Sequence, residues 1–263
     1  MRFDVGHKMR KFFKTLGRLI LLAAYLGGSQ SGAQQKIVSA KVTVARPSSK
    51  DEAKDGSKIS GGKTPDASNV AIWLVPLDPM GVAVPVSGKL PNPPQLLQRN
   101  KTFEPHVLIV PLGTMVEFPN QDPFFHNIFS LYDGRRFDLG LYESGTKRSV
   151  RFDRPGVSFL FCNIHAEMSA VVLSVDTPYF ALSDRNGNVS IRNVPDGRYQ
   201  LHVWYERSAP EQLQELTRVV IISGSSRNLG LLHLVEMPNF TLAHKNKYGL
   251  EYVPPPNPDY DHP

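Results

Sequence analysis

The stretch Cys162-Asn163-Ile164-His165-Ala166-Glu167-Met168 decides how the rest of the chain is interpreted. It contains the single cysteine of the 263 residues, with a histidine three positions later and a methionine six positions later. A thiol, an imidazole and a thioether therefore lie within one short segment, which is a combination typical of metal ligands.

The chemistry of these donors favours copper. Thiolate and thioether are soft ligands and imidazole is intermediate, so they suit copper cycling between two oxidation states better than the hard cations, which prefer oxygen. A cysteine, two histidines and a weak axial methionine form a blue-copper electron-transfer site. The second histidine must come from another segment. His126 is the candidate, because it lies among apolar residues in Phe124-Phe125-His126-Asn127-Ile128-Phe129-Ser130.

Other interpretations of the cysteine stretch stay open. A lone cysteine in a strand is usually a small buried hydrophobic residue. A thiol nucleophile with its base also fits CxxH, but gives no role to Met168 or His126. Zinc accepts cysteine and histidine, but usually completes a structural site with more of them rather than with a thioether. A buried cluster without metal is the main alternative to copper.

The passage from Thr114 to Val175 resembles the cupredoxins, the type 1 copper proteins. Residues 116–122 are similar to the strand and turn before the first ligand, and His126-Asn127 to that ligand and its neighbour. Residues 151–156 are similar to an FxxPG turn, and residues 157–161 to the cysteine strand. The short CxxHxxM spacing is most similar to that of amicyanin. The resemblance implies a Greek-key β-sandwich with one type 1 copper site.

Carried over position by position, the resemblance implies a ligand set. His126, Cys162 and His165 are expected as equatorial ligands and Met168 as the axial ligand. Asn127, next to the first ligand, is expected to brace the two ligand loops by hydrogen bonding.

The resemblance also implies a function. Cupredoxins are not enzymes but carry single electrons between redox proteins, so we expect an unidentified redox protein as partner. The electron port would be His165, with Phe124, Phe125 and Ala166 around it. Multicopper oxidases and nitrite reductases need further histidine-rich sites, and this sequence has no HxH pair. The alternative is a non-redox envelope protein with a structural copper site or none.

Residues 1–33 have the pattern of a secretory signal peptide. A basic start precedes a short apolar run from Leu19 to Leu26, and Ser31-Gly32-Ala33 offers small residues for cleavage. The run is too short to cross a bilayer, so we expect no transmembrane anchor. The expected location is periplasmic or secreted, with translation starting at Met1 or at Met9.

The basic character of the chain lies mostly in this leader. The whole chain carries +6, but the leader holds six of the 30 Lys and Arg residues and one of the 24 Asp and Glu residues. The remaining chain is close to neutral, so nucleic-acid binding is not expected. A single cysteine in an exported protein forms no internal disulfide, and a metal-bound thiolate would be protected from oxidation.

We predict three regions after the leader, all of them β or extended. Residues 34–177 would form the cupredoxin domain, with a strand at residues 36–45 and a mobile loop at residues 46–68. Residues 178–236 resemble the carboxypeptidase regulatory-like domain. Residues 237–263 would form a Pro-rich tail along the body.

Two turns and a strand carry the second resemblance: residues 184–188, residues 194–198 and residues 199–205. It implies a small transthyretin-like β-sandwich without peptidase activity, and an envelope or glycan contact is the role left open for it. The order of export signal, cupredoxin and this module resembles exported bacterial proteins of the methylamine-utilisation-like type.

Several side chains have predicted packing roles. Trp73 is expected in the core, and His106 is expected at the surface or hydrogen-bonded rather than on a metal. Alternation along the cysteine strand directs Leu160 and Cys162 to the same side and Phe161 to the other. Phe161 is therefore expected at the surface or against a neighbouring domain.

Overall fold

The computed structural model describes residues 36–46, 66–78, 92–131, 134–242 and 244–252. The predicted leader, with both candidate start sites, lies outside the described residues, as do residues 47–65 of the predicted loop and residues 253–263 of the tail. Among the described residues, no helix has the length and apolar character that a membrane crossing requires.

The described chain is all-β apart from one short helix, and the predicted fold class is confirmed. In chain order its elements are β1 (Val38–Ala45), β2 (Ala71–Pro76), β3 (Leu97–Arg99), β4 (Thr102–Glu104), β5 (Val107–Pro111), β6 (Thr114–Pro119), β7 (His126–Ser130), β8 (Phe137–Tyr142), β9 (Lys147–Phe152), β10 (Gly156–Phe161), β11 (Ser169–Val175), β12 (Phe180–Leu182), β13 (Asn188–Ile191), β14 (Gly197–Trp204), α1 (Pro210–Leu216), β15 (Arg218–Ile222) and β16 (Asn228–Val235).

The ligand half, which we define as residues 92–175, contains β3 to β11. Its largest sheet has the order β5-β11-β10-β7-β8, and the pairs β6-β9 and β3-β4 complete it. Alternation along β6 explains how its core forms, because Thr114, Val116 and Phe118 are buried while Met115 is exposed. Val116 and Phe118 join one apolar cluster that also contains Cys162.

The scaffold half, which we define as residues 36–78 and 177–236, contains the other strands. Its sheets have the orders β13-β1-β16 and β12-β2-β14-β15. The predicted alternation of β1 is confirmed, since Val38, Ala40, Val42 and Val44 are all buried. The helix α1 lies between β14 and β15 in the chain and packs Leu213 and Leu216 against this core.

Strand pairing differs from the predicted grouping of residues 34–177. β1 pairs antiparallel with β13 and parallel with β16, and β2 pairs with β12 and β14. Both strands therefore belong to sheets that are completed after residue 177, and not to the ligand half. Alternation shows which face of a strand is buried but not which strand is its neighbour, so the sequence pattern could not indicate these partners. The division into a domain at residues 34–177 and another at residues 178–236 stays a prediction.

The turn predicted at residues 184–188 helps to seat β1. The carboxylate of Asp184 accepts the backbone N–H of Asn188 at 2.8 Å. Gly187 has a φ of +78°, and a Cβ there would lie 2.1 Å from the carbonyl oxygen of Val42. Because only glycine tolerates both the dihedral angle and the close approach, this position lets the turn pack directly on β1.

A third apolar cluster joins the two halves. Ala71, Ile109, Leu173 and Val175 are buried together, and Trp73 packs against them partly buried, so the indole lies at this junction. The predicted core role of Trp73 therefore holds in part, because the side chain is only partly buried. Its ring is also stacked on His202, with 5.0 Å between centroids.

Candidate metal centre

The centre forms where β10 ends, next to the start of its antiparallel neighbour β7. β7 starts at His126, and β10 ends one residue before Cys162. Phe161 is paired with Phe129, so the chain beyond β10 passes the first residues of β7. Sheet register thus brings together two side chains that are 36 positions apart in the sequence.

Both histidines present the same ring nitrogen to the cysteine sulfur. Cys162 Sγ lies 3.8 Å from His126 Nδ1 and 3.6 Å from His165 Nδ1. The three ligand atoms lie within 4.8 Å of one another. Cys162 and His126 are fully buried, whereas His165 is half-buried. Two imidazoles and one thiol therefore converge on a common point, an arrangement that a metal ion of borderline or soft character fits.

Asp122 orients the imidazole of His126. Its Oδ2 lies 2.7 Å from His126 Nε2, and both side chains are buried. The backbone N–H groups of Asn100 and Lys101 donate to the two oxygens of this carboxylate, at 2.6 and 3.0 Å. Since Nε2–H donates to a carboxylate, Nδ1 keeps its lone pair and directs it at the sulfur.

The pKa values at this pair agree with that arrangement. Burial lowers the pKa of His126, although the carboxylate of Asp122 opposes the shift, so the neutral ring is favoured. Burial alone would raise the pKa of Asp122, but the hydrogen bonds from His126 and from two backbone amides outweigh it and lower that pKa. A neutral imidazole next to an ionised carboxylate is the form of histidine that ligates metals.

The surroundings of the sulfur fit a metal-bound thiolate. Burial raises the pKa of the Cys162 thiol, so without a metal the sulfur stays protonated. The backbone N–H groups of Asn127, Ile164 and His165 act in the opposite direction. These amide dipoles would stabilise the negative charge that a ligating sulfur carries, whereas a free buried thiolate would be disfavoured.

The loop from Cys162 to Met168 closes on itself. Cys162 N–H donates to the carbonyl oxygen of Met168, and Met168 N–H donates to that of His165, each at 3.2 Å. Met168 is fully buried in the same apolar cluster as Cys162 and Leu160. The structure therefore brings His126, Cys162 and His165 together and buries Met168 in the core that contains the cysteine.

Asn127 does not brace the ligand loops in the expected way. Its side-chain Nδ2 donates to Asp138 Oδ1 on β8 at 2.8 Å. The link from this residue to the cysteine loop is made by its backbone amide, which faces the Cys162 sulfur. Asp138 has a second oxygen, and it accepts from Lys247 at 2.8 Å. The side chain of Asn127 thus reaches the loop only through other residues.

Aromatic rings surround the two imidazoles. The ring of Phe124 lies 5.1 Å from His126 and 5.6 Å from His165 between centroids. Phe125 is 55% exposed and therefore points away from the core. Phe161 is expected at the surface or against a neighbouring domain, and the first of these alternatives is wrong. This ring is 2% exposed because His244 of the C-terminal segment stacks on it at 3.8 Å.

Sequence reasoning missed Asp122 and the C-terminal contacts. Asp122 precedes His126 by four residues, and a carboxylate close to a predicted histidine ligand was a usable signal, because ligating histidines commonly donate their second ring N–H to one. The residues near the C-terminus gave no such signal, since isolated polar side chains do not indicate what they contact.

No family model matches the chain, and no curated protein matches it. Among solved structures, a Cu-containing nitrite reductase from Thermus scotoductus SA-01 is similar at 28% identity and a TM-score of 0.32, over 39% of this chain and 28% of that one. A purple cupredoxin from Nitrosopumilus maritimus is 23% identical with a TM-score of 0.29, over 31% of this chain and 99% of that one. The oxidised P94A mutant of amicyanin is 17% identical with a TM-score of 0.30, over 32% of this chain and 82% of that one. The chain thus spans less than a third of the nitrite reductase.

Proposed function

We propose that this protein binds one copper ion in a type 1 site and carries single electrons between redox partners, as cupredoxins do. One observation carries the proposal: the Nδ1 atoms of two histidines lie within 3.8 Å of a buried cysteine sulfur. Neither a core cysteine nor a surface histidine requires this convergence.

Four side chains would hold the ion. His126, Cys162 and His165 would bind it directly, and Met168 is the proposed fourth ligand. Bound copper would supply one-electron chemistry by alternating between its two oxidation states. Asp122 fixes the His126 ring, and backbone amides support the sulfur, so little of the protein needs to move when the charge at the site changes.

The proposed electron port is His165. It is half-buried, in contrast to His126, and its neighbours Ile164 and Ala166 are exposed. Phe125 on the adjacent loop is also exposed. An apolar surface around a ligand suits the small, short-lived contacts that electron carriers make with their partners.

A thiol-based catalyst fits the site poorly. A nucleophilic cysteine needs access to substrate and a lowered pKa, but Cys162 is fully buried and its pKa is raised. We therefore propose an electron carrier rather than an enzyme that uses this thiol.

The second candidate is a non-redox envelope protein whose copper site is structural or absent. It is favoured by exposed aliphatic side chains on the scaffold half, where Val219, Ile221 and Leu231 are 56%, 65% and 61% exposed. Such side chains could contact another protein. Export to the periplasm or outside the cell is part of both proposals and rests on the pattern of residues 1–33.

The deciding experiment is copper loading followed by visible and electron paramagnetic resonance spectroscopy. We expect an intense sulfur-to-copper band that bleaches reversibly with a reductant and is absent in Cys162→Ser. His126→Gln should lose the band, whereas His233→Gln, which changes an exposed histidine on β16, should keep it. A colourless protein that retains no copper would remove the proposed function, and bound copper that resists reduction would favour the second candidate.

A further inference from the structure

Residues 244–252, which we call the strap, lie against the Cys162–Met168 loop. The hydroxyl of Tyr252 donates to the carbonyl oxygen of Cys162 at 2.6 Å. His244 Nε2 lies 2.9 Å from the carbonyl oxygen of Ala166. Because a carbonyl only accepts, this ring nitrogen carries its hydrogen and donates it. Two side chains of the strap therefore hold the loop at two points, one of them on the cysteine itself.

Lys247 ties the strap to both sides of the centre. Its backbone N–H donates to Asn163 Oδ1 at 3.0 Å, next to Cys162. Its ammonium donates to Asp138 Oδ2 at 2.8 Å, and the other oxygen of that carboxylate accepts from Asn127, next to His126. A continuous chain of hydrogen bonds thus runs from the neighbour of one candidate ligand to the neighbour of the other.

Ring packing fastens the strap to the end of β10. The imidazole of His244 stacks on Phe161 with 3.8 Å between centroids and an interplanar angle of 23°. Tyr252 meets the same imidazole edge-on at 5.2 Å. The strap covers the ring that precedes the cysteine, and this explains why Phe161 is buried although alternation turns it away from the core.

The residues that precede the strap are anchored to the scaffold half. Just after β16, Met237 N–H donates to the carbonyl oxygen of Arg207 at 2.7 Å. The guanidinium of Arg207 lies over the ring of Phe240, 5.6 Å from its centroid. The segment that reaches the ligand loop is therefore anchored first to the other half of the molecule.

We propose that the strap holds the Cys162–Met168 loop in the conformation that presents its ligands, with Tyr252, Lys247 and His244 as positioning residues. The inference rests on the proposed function where it concerns copper. It deepens that function by assigning an external brace to the Cys162–Met168 loop, which otherwise closes on itself through two long backbone hydrogen bonds.

The first test uses the metal-free full-length protein, in which Cys162 is the only thiol. Reaction with a disulfide reagent such as 5,5′-dithiobis(2-nitrobenzoate) requires the buried sulfur to become exposed, so its rate reports how often the loop opens. Tyr252→Phe removes one hydrogen bond and keeps the ring. Loss of one such bond should raise the labelling rate about three- to tenfold, and His244→Ala should raise it further because it also removes the stacking on Phe161.

The matched control is Tyr248→Phe, which also removes a tyrosine hydroxyl from the strap. Tyr248 is 71% exposed, and the phenylalanine ring preserves the contact with the Lys247 ammonium, which lies 5.2 Å from the ring centroid. The side-chain hydrogen bond with Asp138 raises the pKa of Lys247 more than the bond with Tyr248 does, and the variant keeps the bond with Asp138. Its labelling rate should match that of the wild type. Thermal unfolding of each variant shows whether the rest of the protein is intact.

The second test uses the copper-loaded protein. A positioning role predicts that Tyr252→Phe shifts the reduction potential and the copper hyperfine splitting, whereas Tyr248→Phe leaves both unchanged. Unchanged labelling, potential and spectrum in both Tyr252→Phe and His244→Ala would overturn the proposal. If the wild type binds no copper, the proposed function fails, and the labelling rates alone decide whether the strap holds the loop.

Discussion

The two halves of the molecule use buried polar side chains differently. In the scaffold half, Ser183 and Thr177 donate to the backbone carbonyl oxygens of Ala67 and Leu74. The ligand half contains such hydroxyls too, since Ser174 donates to the carbonyl oxygen of Phe152, but here a buried carboxylate also holds a candidate metal ligand. Asp122 binds the ring of His126, and Asn120 in turn accepts the backbone N–H of Asp122 at 3.0 Å.

The difference shows where the fold has been adapted for chemistry. A buried hydroxyl that satisfies a backbone carbonyl serves folding alone. A buried carboxylate costs free energy to desolvate, so its retention next to an imidazole points to a task for that imidazole. The buried carboxylate of the scaffold half, Glu236, instead accepts from Tyr205 and lies near Arg46 and Arg207, so only in the ligand half does such a group hold a candidate ligand.

The largest expected effect comes from matched truncations in the two cores. Leu74 on β2 and Leu160 on β10 are both fully buried. Replacing either by alanine should lower the free energy of unfolding by about 2–5 kcal/mol, because each leaves a cavity. Only Leu160→Ala, which packs in the cluster that contains Cys162 and Met168, should also change the copper spectrum. Denaturant unfolding and visible spectra of both variants measure this, and an equal spectral change in Leu74→Ala would remove the distinction between the halves.

A smaller effect is expected from Asp122→Asn. The amide is nearly isosteric but lacks the charge that fixes the His126 ring, so copper affinity should fall about 10- to 100-fold. Competition titration with a chelator of known affinity measures the loss. Glu143→Gln, which changes an exposed carboxylate next to β8, is the control and should bind copper as the wild type does. Equal affinities of Asp122→Asn and the wild type would mean that the carboxylate does not orient the ligand.

The smallest effect is expected at the contact between the halves made by His106 and Glu206. The two side chains are 2.7 Å apart, and His106 Nδ1 also lies 3.2 Å from the carbonyl oxygen of Ser169, so His106 is hydrogen-bonded, as predicted. The hydrogen bond to Glu206 raises the pKa of His106 above its ordinary value of about 6.5. The protonated ring is therefore favoured in the folded protein.

The direction of the pH dependence follows from that shift. The stabilisation is fully present below about pH 6.5 and is lost as the pH rises through the higher folded pKa. Because other histidines titrate as well, the measurement is the difference in the free energy of unfolding between wild type and His106→Asn. This difference should shrink as the pH is raised, and a difference that grows instead would contradict the role of Glu206.

Local patterns predicted much of the ligand half. The resemblance of residues 157–161 to a cysteine strand indicated β10, alternation along it indicated its buried face, and the spacing of Cys162, His165 and Met168 indicated a loop that brings its side chains to one place. Sheet register brings His126 to this loop, since His126 begins β7, the strand next to β10. These features follow from short-range periodicity, which a single sequence displays directly.

The features that escaped prediction depend on long-range pairing. The parallel partner of β1 is β16, with Thr43 opposite His233, 190 residues away. No local pattern encodes such a partner, because the same alternation suits any half-buried sheet. The strap escaped for a related reason, since Lys247 and Tyr252 act through single polar contacts without any repeating spacing.

The direct pairing of β2 with β12, with Trp73 opposite Phe180, has a consequence for how the chain is made. The strands of the ligand half are inserted in the chain between β2 and β12, which are adjacent strands of the scaffold half. The first strand of the scaffold half, β1, pairs with β13 and β16, which are synthesised only after the insertion. During translation the ligand half is therefore fully synthesised before β16, the last strand of the scaffold half. We expect that joining Asp78 to Thr177 through a short turn would keep β2 and β12 paired as a hairpin, and this deletion tests whether the scaffold half folds without the ligand half.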